Sequence, residues 1–408
     1  MGDATVREVL HVAGAADSVD VLYLTHNYPR HRGDFAGRFI ARLAQQAAAR
    51  GIRIGVLAPH HPGAELSEVM DGIGVRRFRY APDARETLAY RGDLGKLQLI
   101  GARSIAAHTR FFRCFAQTAA EELTRLKPGV IHAHWWIPAG WVARGLDFEG
   151  RLIVTLHGTD LRLLQRKRWL RPLAGKVFAR AAVITVVSSW LAEFLRSTYP
   201  DFAGKIHVLP MPPDDQLFVR GPSRSSAGRP PVIVSVTRFT TQKRNDVLLK
   251  SLARLKGEGL AFKARLIGEG PLRTQLLEQI TSTGLQDCVE LVEPMPQSQL
   301  AGEYQSADLV VITSVDEGFG MALLEAQLCG TLAVGVRSGG LTDIVEHGRT
   351  GLLARPDDPG DLALVLNEAL RNDELRRTLA EAGHASAMER FSSSRIVDQF
   401  CHWYKGQS

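Results

Sequence analysis

One pattern restricts this chain more than any other. Short apolar runs alternate with longer amphipathic stretches, and the series occurs twice. The first series has strand-like runs at 20–25, 53–58, 130–134, 152–156 and 183–187, with helical spacing over 39–50. Gly, Pro, Ser or charged residues bound each run. Residues 209–231 (LPMPPDDQLFVRGPSRSSAGRPP) then carry no periodicity. The alternation restarts with strands at 232–236, 263–267, 289–292, 309–313 and 333–336, and helices at 245–256 and 272–283. The last helix, 392–405, places Ile396, Phe400, Trp403 and Tyr404 on one apolar stripe. Strands that alternate with helices predict parallel sheets covered on both faces. The chain therefore reads as α/β, two doubly wound domains in tandem. The expected boundaries are an N-terminal arm at 1–18, a first domain at 19–208, a linker at 209–231, a second domain at 232–390 and a C-terminal helix at 391–408. Ligands of such sheets sit at the carboxyl ends of the strands, so a cleft between the domains is the expected site.

Composition narrows the class. With 408 residues, 45% hydrophobic and 23% charged, the chain is neither disordered, fibrous nor a disulfide mini-protein. Its formal charge of +7 suits nucleic acid, anionic lipid or phosphorylated small molecules. Much of the excess lies in Arg162, Arg166, Lys167, Arg168, Arg171, Lys176 and Arg180, which follow Asp160 with no further acid. Such a run is either a solvated helix face or a patch for an acidic membrane or anionic substrate. No nucleic-acid motif accompanies it, so no nucleic-acid partner is expected. Cys114, Cys288, Cys329 and Cys401 stand apart, without zinc or redox spacing, and read as reduced residues of a cytoplasmic protein. His132 and His134 form an H-x-H pair with no Cys or carboxylate cluster beside it, so no metal is expected. No apolar run reaches the ~20 residues that span a bilayer. Residues 9–16 resemble a signal peptide only weakly, because Asp3 and Glu8 outweigh Arg7.

Several chemistries can be set aside. There is no G-x-G-x-x-G after the first strand, no phosphate-loop motif and no G-x-S-x-G elbow. No two Asp residues stand at i and i+2 to clamp a metal-bound nucleotide sugar. Three stretches remain. In SVDEGFGMALLEAQLCG (314–330) a strand runs through Gly318 and Gly320 into an apolar helix. Free N–H groups at Gly320, Met321 and Ala322 would point at an anion. Glu317 and Glu325 there are either hydroxyl acceptors or an ordinary helix-start charge and a surface residue. In VTRFTTQK (236–243), Arg238 and Lys243 follow a strand and can bracket a diphosphate, unless the loop is merely basic. In IVTLHGTD (153–160), His157 ends a strand, where it binds substrate, carries a proton or caps its own loop. Asp160 is placed to cap the next helix.

Taken together, these stretches resemble the retaining glycosyltransferases of family 4, and the resemblance runs from about Asp20 to the end. Its strongest element is a Glu-x7-Glu motif, Glu317 and Glu325, with Phe319-Gly320 between them and Ala326 and Gly330 after them. Arg238 and Lys243, Gly268-Glu269-Gly270-Pro271-Leu272, Ser338-Gly339-Gly340 and His347 to Leu353 match in order. Ile131 to Trp135 and Thr155 to Gly158 look like the family's acceptor-side strands, which places His134 and Asp160 on that side.

The resemblance implies the GT-B fold, two Rossmann-like domains facing a central cleft, and transfer of a hexosyl unit from a UDP- or GDP-sugar. Glu325 would bind the ribose, and Glu317 would approach the transferred sugar. Arg238 and Lys243 would hold the departing diphosphate, with the amides of Phe319, Gly320, Met321 and Ala322 assisting. His157 would approach the reacting sugar from the other domain. No metal or cofactor is implied, and the acceptor would be a saccharide, a lipid-linked sugar or a small molecule. The basic segment 162–180 would supply a peripheral membrane contact at the inner face of the membrane. The first loop departs from the family's Gly-Gly pair, so Gly33 and Gly37 are both candidates for the close approach to phosphate. Arg244 replaces the Gly that often follows Lys243. The rival readings are a nucleotide-sugar epimerase or hydrolase, a pyridoxal phosphorylase lacking an obvious lysine, and an inactive nucleotide-sugar-binding protein.

Overall fold

The computed structural model describes residues 18–34, 36–90, 102–222 and 228–407. Apart from Ser18, the expected N-terminal arm lies outside these residues. The chain divides into two compact units. Unit 1 takes the described residues up to Val187, together with Leu191–Met211 and the chain from Ile396 on. Unit 2 takes Ser188–Trp190 and Pro212–Arg395.

Among the described residues, unit 1 contains eight strands: β1 (Val21–Leu24), β2 (Ile54–Pro59), β3 (Ser67–Met70), β4 (Ile73–Phe78), β5 (Val130–His134), β6 (Arg151–Leu156), β7 (Val183–Val186) and β8 (Ile206–Val208). They form one sheet in the order β3-β4-β2-β1-β5-β6-β7-β8. Strands β1, β2, β5 and β7 are buried at every position, as strands covered on both faces must be. One pair breaks the parallel pattern, because β3 runs antiparallel to β4. Its turn is Asp71-Gly72, both at positive φ, a standard two-residue hairpin signal.

Unit 2 contains β9 (Val232–Val236), β10 (Lys263–Ile267), β11 (Val289–Val292), β12 (Leu309–Val311), β13 (Leu332–Val336) and β14 (Leu352–Ala354). They form a parallel sheet in the order β11-β10-β9-β12-β13-β14. Strand order reverses between β9 and β12 here, and between β1 and β5 in unit 1. At such a point the loops leaving two neighbouring strands diverge and open a crevice at their carboxyl ends.

The stretch expected as the interdomain linker is partly anchored within unit 2. Phe218 is buried against Tyr304, with ring centroids 5.8 Å apart. Gln305 also donates to the Val219 carbonyl, at 2.9 Å. The sequence showed no periodicity here because one aromatic anchor needs none. The last helix, Ser393–Tyr404, starts from unit 2, where Asp215 accepts from the Ser393 amide and hydroxyl at 2.7 Å each. From Ile396 on, it packs with unit 1.

Two glycines set the loop after β9. Gly268 (φ 152°) and Gly270 (φ 153°) let the backbone after β10 lie against it. A Cβ on Gly268 would fall 1.9 Å from the Thr237 carbonyl oxygen. A Cβ on Gly270 would fall 2.5 Å from that of Phe239. Gly268→Ala should therefore cost about 2 kcal/mol or more. A melting scan should show a drop of roughly 4–8 °C; an unchanged melting temperature would mean the two loops are not locked together.

Candidate functional site

The crevice of unit 2 is built by the loops after β9 and β12. After β9, a short turn at Thr241–Lys243 ends in Arg244, held at φ 51°, before the helix Asn245–Gly257. After β12, Thr313 donates to the carbonyls of Lys243 and Arg244, at 2.9 and 3.0 Å. The Val315 amide donates to Gln242, at 3.0 Å. These bonds bring Lys243 and Glu317 together, with Nζ to Oε2 at 2.5 Å and about a fifth of each side chain exposed. Arg238 is exposed at the mouth of the same loop, and among the described residues no carboxylate pairs with it. Arg244 differs, since its guanidinium pairs with Asp357 at 2.8 Å.

Ser338-Gly339-Gly340 supports the acidic loop from behind. A Cβ on Gly339 would lie 2.3 Å from the Glu317 carbonyl oxygen, and the Gly340 amide donates to that oxygen at 2.8 Å. Gly320, at φ 106°, opens the helix Met321–Leu328. Phe319 is buried edge-on against Phe391, with centroids 5.5 Å apart. Met321 and Ala322 are half-buried in the first turn. Glu325 is not a surface residue: it is 8% exposed, and Tyr304 donates to its Oε2 at 3.1 Å. Nothing in the sequence pattern pointed to Tyr304.

In unit 1 the corresponding residues follow β1, β5 and β6. His134 is fully buried, and its Nδ1 lies 3.2 Å from Nε2 of His157. Trp135, at φ 72°, lies tilted between His26 and His157, 4.3 Å from each ring centroid. Trp135 and Trp136 are thus interior residues and present no aromatic surface. Asp160 is buried and accepts from the amides of Gly158 and Leu161, at 3.0 Å each. It ties the loop to its own helix, Thr159–Arg166. Gly37, at φ 65°, opens the helix Arg38–Ala48, and a Cβ there would fall 2.2 Å from the Asn27 carbonyl oxygen. Gly33, at φ 90°, has open space around it. Asp34 is clamped by Arg30, Oδ2 to Nε at 2.6 Å.

The basic segment is not one helix face. It breaks into Thr159–Arg166, a turn at Arg168–Leu170, and Arg171–Arg180. Arg171 and Arg180 are tied to backbone carbonyls. Arg166, Arg168 and Lys176 are exposed, beside a Trp169 that is 63% exposed. Among the described residues one group has metal-like spacing, His60, Asp83 and Glu86. Both ring nitrogens of His60 are already bonded, to Glu86 at 2.6 Å and to the Ala64 carbonyl at 2.9 Å. No described helix is long and apolar enough to cross a membrane.

Residues 36–217 match the family model described as Glycosyltransferase Family 4, and residues 222–386 match Glycosyl transferases group 1. A D-inositol 3-phosphate glycosyltransferase of Streptosporangium roseum is 28% identical over 410 residues, 92% of this chain and 89% of that protein. An N-acetyl-alpha-D-glucosaminyl L-malate synthase of Bacillus anthracis is 27% identical over 312 residues, 73% and 80% of the two chains. Among solved structures, sucrose-phosphate synthase from Thermosynechococcus elongatus superimposes with a TM-score of 0.78 at 21% identity, covering 95% of this chain and 98% of that one. Anabaena Alr3699/HepE, solved with UDP and glucose, gives 0.69 at 22% identity, covering 95% and 100%. The fold is GT-B, with two Rossmann-like parallel-sheet domains.

Burial dominates the charge states in unit 1. It pushes His26 down to about 4 and His132 down to about 3, and it holds His134 and His157 well below the usual imidazole range. All four are neutral rings at pH 7. Burial raises Asp160 to about 6, against the amide bonds that favour its carboxylate. The signs oppose each other. Below pH 6.5 the unfolded chain takes up protons that the buried histidines refuse, so stability falls as pH drops toward 3–4. Asp160 works the other way, because its folded form holds a proton up to about 6 while the unfolded form releases it near 4. Four groups outweigh one. The melting temperature should therefore fall from pH 6.5 to 4, and a flat acid limb would contradict the buried neutral cluster.

Proposed function

The chain belongs to the family 4, group 1 glycosyltransferases, and we propose that it is a retaining hexosyltransferase that needs no metal. Members of the family transfer a sugar from a nucleotide sugar to an acceptor. In our reading unit 2 binds the donor and unit 1 presents the acceptor. The observation that carries this reading is the meeting of Lys243 and Glu317 at the β9/β12 crevice, with Arg238 open beside them. A cation pair at strand ends, next to a helix start opened by Gly320, suits a diphosphate. A carboxylate one ion pair away suits the hydroxyls of the attached sugar.

The chemistry follows from that placement. The bond from the sugar's anomeric carbon to the diphosphate oxygen breaks as the acceptor oxygen bonds to the same face. The acceptor's proton passes to the departing phosphate oxygen, so no side-chain base is required. Negative charge grows on that oxygen, and Lys243, Arg238 and the amides of Phe319, Gly320, Met321 and Ala322 offset it. Glu325, held by Tyr304, binds the ribose hydroxyls from its buried position. Glu317 shares its carboxylate between Lys243 and the sugar, while His157 bonds a sugar hydroxyl as a neutral ring. Gly37 or Gly33 provides the close backbone approach from unit 1, and Gly33 has the free space.

HepE, solved with UDP-glucose, supports a UDP-sugar as the first donor to try, with a GDP-sugar second. The relatives' names support a small hydroxylated anion as acceptor, akin to D-inositol 3-phosphate or L-malate. Saccharide and lipid-linked acceptors are the alternatives. A weak contact with anionic membrane is proposed for Arg166, Arg168, Lys176 and Trp169. At about 1 kcal/mol per cation near an anionic surface, three exposed charges give only a reversible contact.

The test is the product's anomeric configuration, read by NMR, with and without chelator. Retention at undiminished rate is expected; inversion, or complete metal-reversible loss, would overturn the mechanism. Arg238→Ala and Lys243→Ala should each lower turnover by about 10²–10³. Glu325→Ala should weaken donor binding by roughly 10–100-fold, measured by calorimetry.

A further inference from the structure

A row of polar side chains crosses one face of the first sheet, where strands covered on both faces are normally apolar. Tyr23 on β1, His132 and His134 on β5, Thr155 on β6 and Thr185 on β7 are all fully buried. Strand register sets Tyr23 beside His132, His134 beside Thr155, and Thr155 beside Thr185. Tyr404, from the last helix, completes the row. Its hydroxyl lies 2.7 Å from the Tyr23 hydroxyl and 2.7 Å from Nδ1 of His132. Nε2 of His132 lies 2.6 Å from the Thr155 hydroxyl, which lies 2.6 Å from that of Thr185.

Buried polar groups like these cost stability unless each finds a partner, and an apolar row of the same shape would serve the sheet as well. Purpose is better sought at the row's end. The His132 and His134 rings lie 4.2 Å apart, and Tyr23 stands edge-on to both, at 5.1 and 5.2 Å. His134 Nδ1 meets His157 Nε2, at 3.2 Å. His134 Nε2 has no partner among the described residues, so His157 alone fixes the polar side of that ring.

We propose that Tyr404 is a positioning residue: its hydroxyl fixes the ring and proton of His132, which with Tyr23 holds the His134–His157 pair. The proposal rests on the reading of His157 as a group that touches the reacting sugar. A neutral imidazole carries one N–H. If Tyr404 donates to Nδ1, then Nε2 donates to Thr155, and Thr155 donates to Thr185. If Nδ1 donates to Tyr404, every bond reverses. The Tyr404 hydroxyl thus couples the His132 tautomer to the direction of the whole row. Without it, Nδ1 is left buried and unbonded, and the direction is free.

The test uses the full chain with ¹⁵N-labelled histidine, reading each ring's tautomer by NMR after assignment with single His→Gln variants. Tyr404→Phe should change the nitrogen signals of His132 and also those of His157. Release of UDP from UDP-glucose should fall roughly tenfold or more at unchanged KM. Trp403→Leu, on the same helix, should lower the melting temperature and leave the tautomers alone. Unchanged His157 signals in Tyr404→Phe would reduce the row to packing. The same changes in Trp403→Leu would assign them to a displaced helix rather than a lost hydroxyl. If Tyr404→Phe does not fold, Thr155→Val removes the partner at the other nitrogen and gives the same readout. Full turnover by His157→Gln would remove its proposed contact with the sugar, and the tautomer result would still decide the positioning claim.

Discussion

The ion pair between Lys243 and Glu317 ties together the loops that leave two neighbouring strands, and the shape of the β9/β12 crevice depends on it. Neither loop adopts its shape alone. The β9 loop needs Gly268 and Gly270 to let the next loop approach, and the β12 loop needs Gly339 and Gly340 behind Glu317. Thr313 then joins the two by bonding both carbonyls before the helix Asn245–Gly257. A carboxylate and an ammonium are thereby held ready, each partly open to solvent. In the proposed reading, an arriving diphosphate and its sugar divide that pair between them.

Unit 1 solves a different problem. Its residues at the β1/β5 crevice are neutral, because burial makes the charged imidazole too costly. In the proposed reading, neutral rings orient hydroxyls and leave the phosphate charge to unit 2. In the loop after β1, Arg30 and Asp34 satisfy each other.

Much of this was legible from sequence, for stated reasons. The alternation of apolar runs located the strands because burial on both faces demands it, and the Glu-x7-Glu spacing located the helix start. Four features were missed. The β3–β4 hairpin was overlooked although Asp71-Gly72 marks it. Phe218 anchors a segment whose composition reads as linker, because one side chain leaves no period. Tyr304 and Tyr404 were legible only as apolar or unremarkable residues, since their role depends on partners 21 and 272 positions away. Basic residues at 162–180 read as one face, but a turn at Arg168–Leu170 divides them and backbone carbonyls claim two.

The central claim is that the β9/β12 crevice holds a nucleoside diphosphate through its phosphates. Calorimetric titration of UDP, GDP and ADP, each against its nucleoside, into wild-type protein and Lys243→Ala addresses it most directly. The account predicts that one diphosphate binds well, that its nucleoside binds far more weakly, and that Lys243→Ala removes most of that difference. A variant that keeps the full preference for the diphosphate over the nucleoside would contradict it.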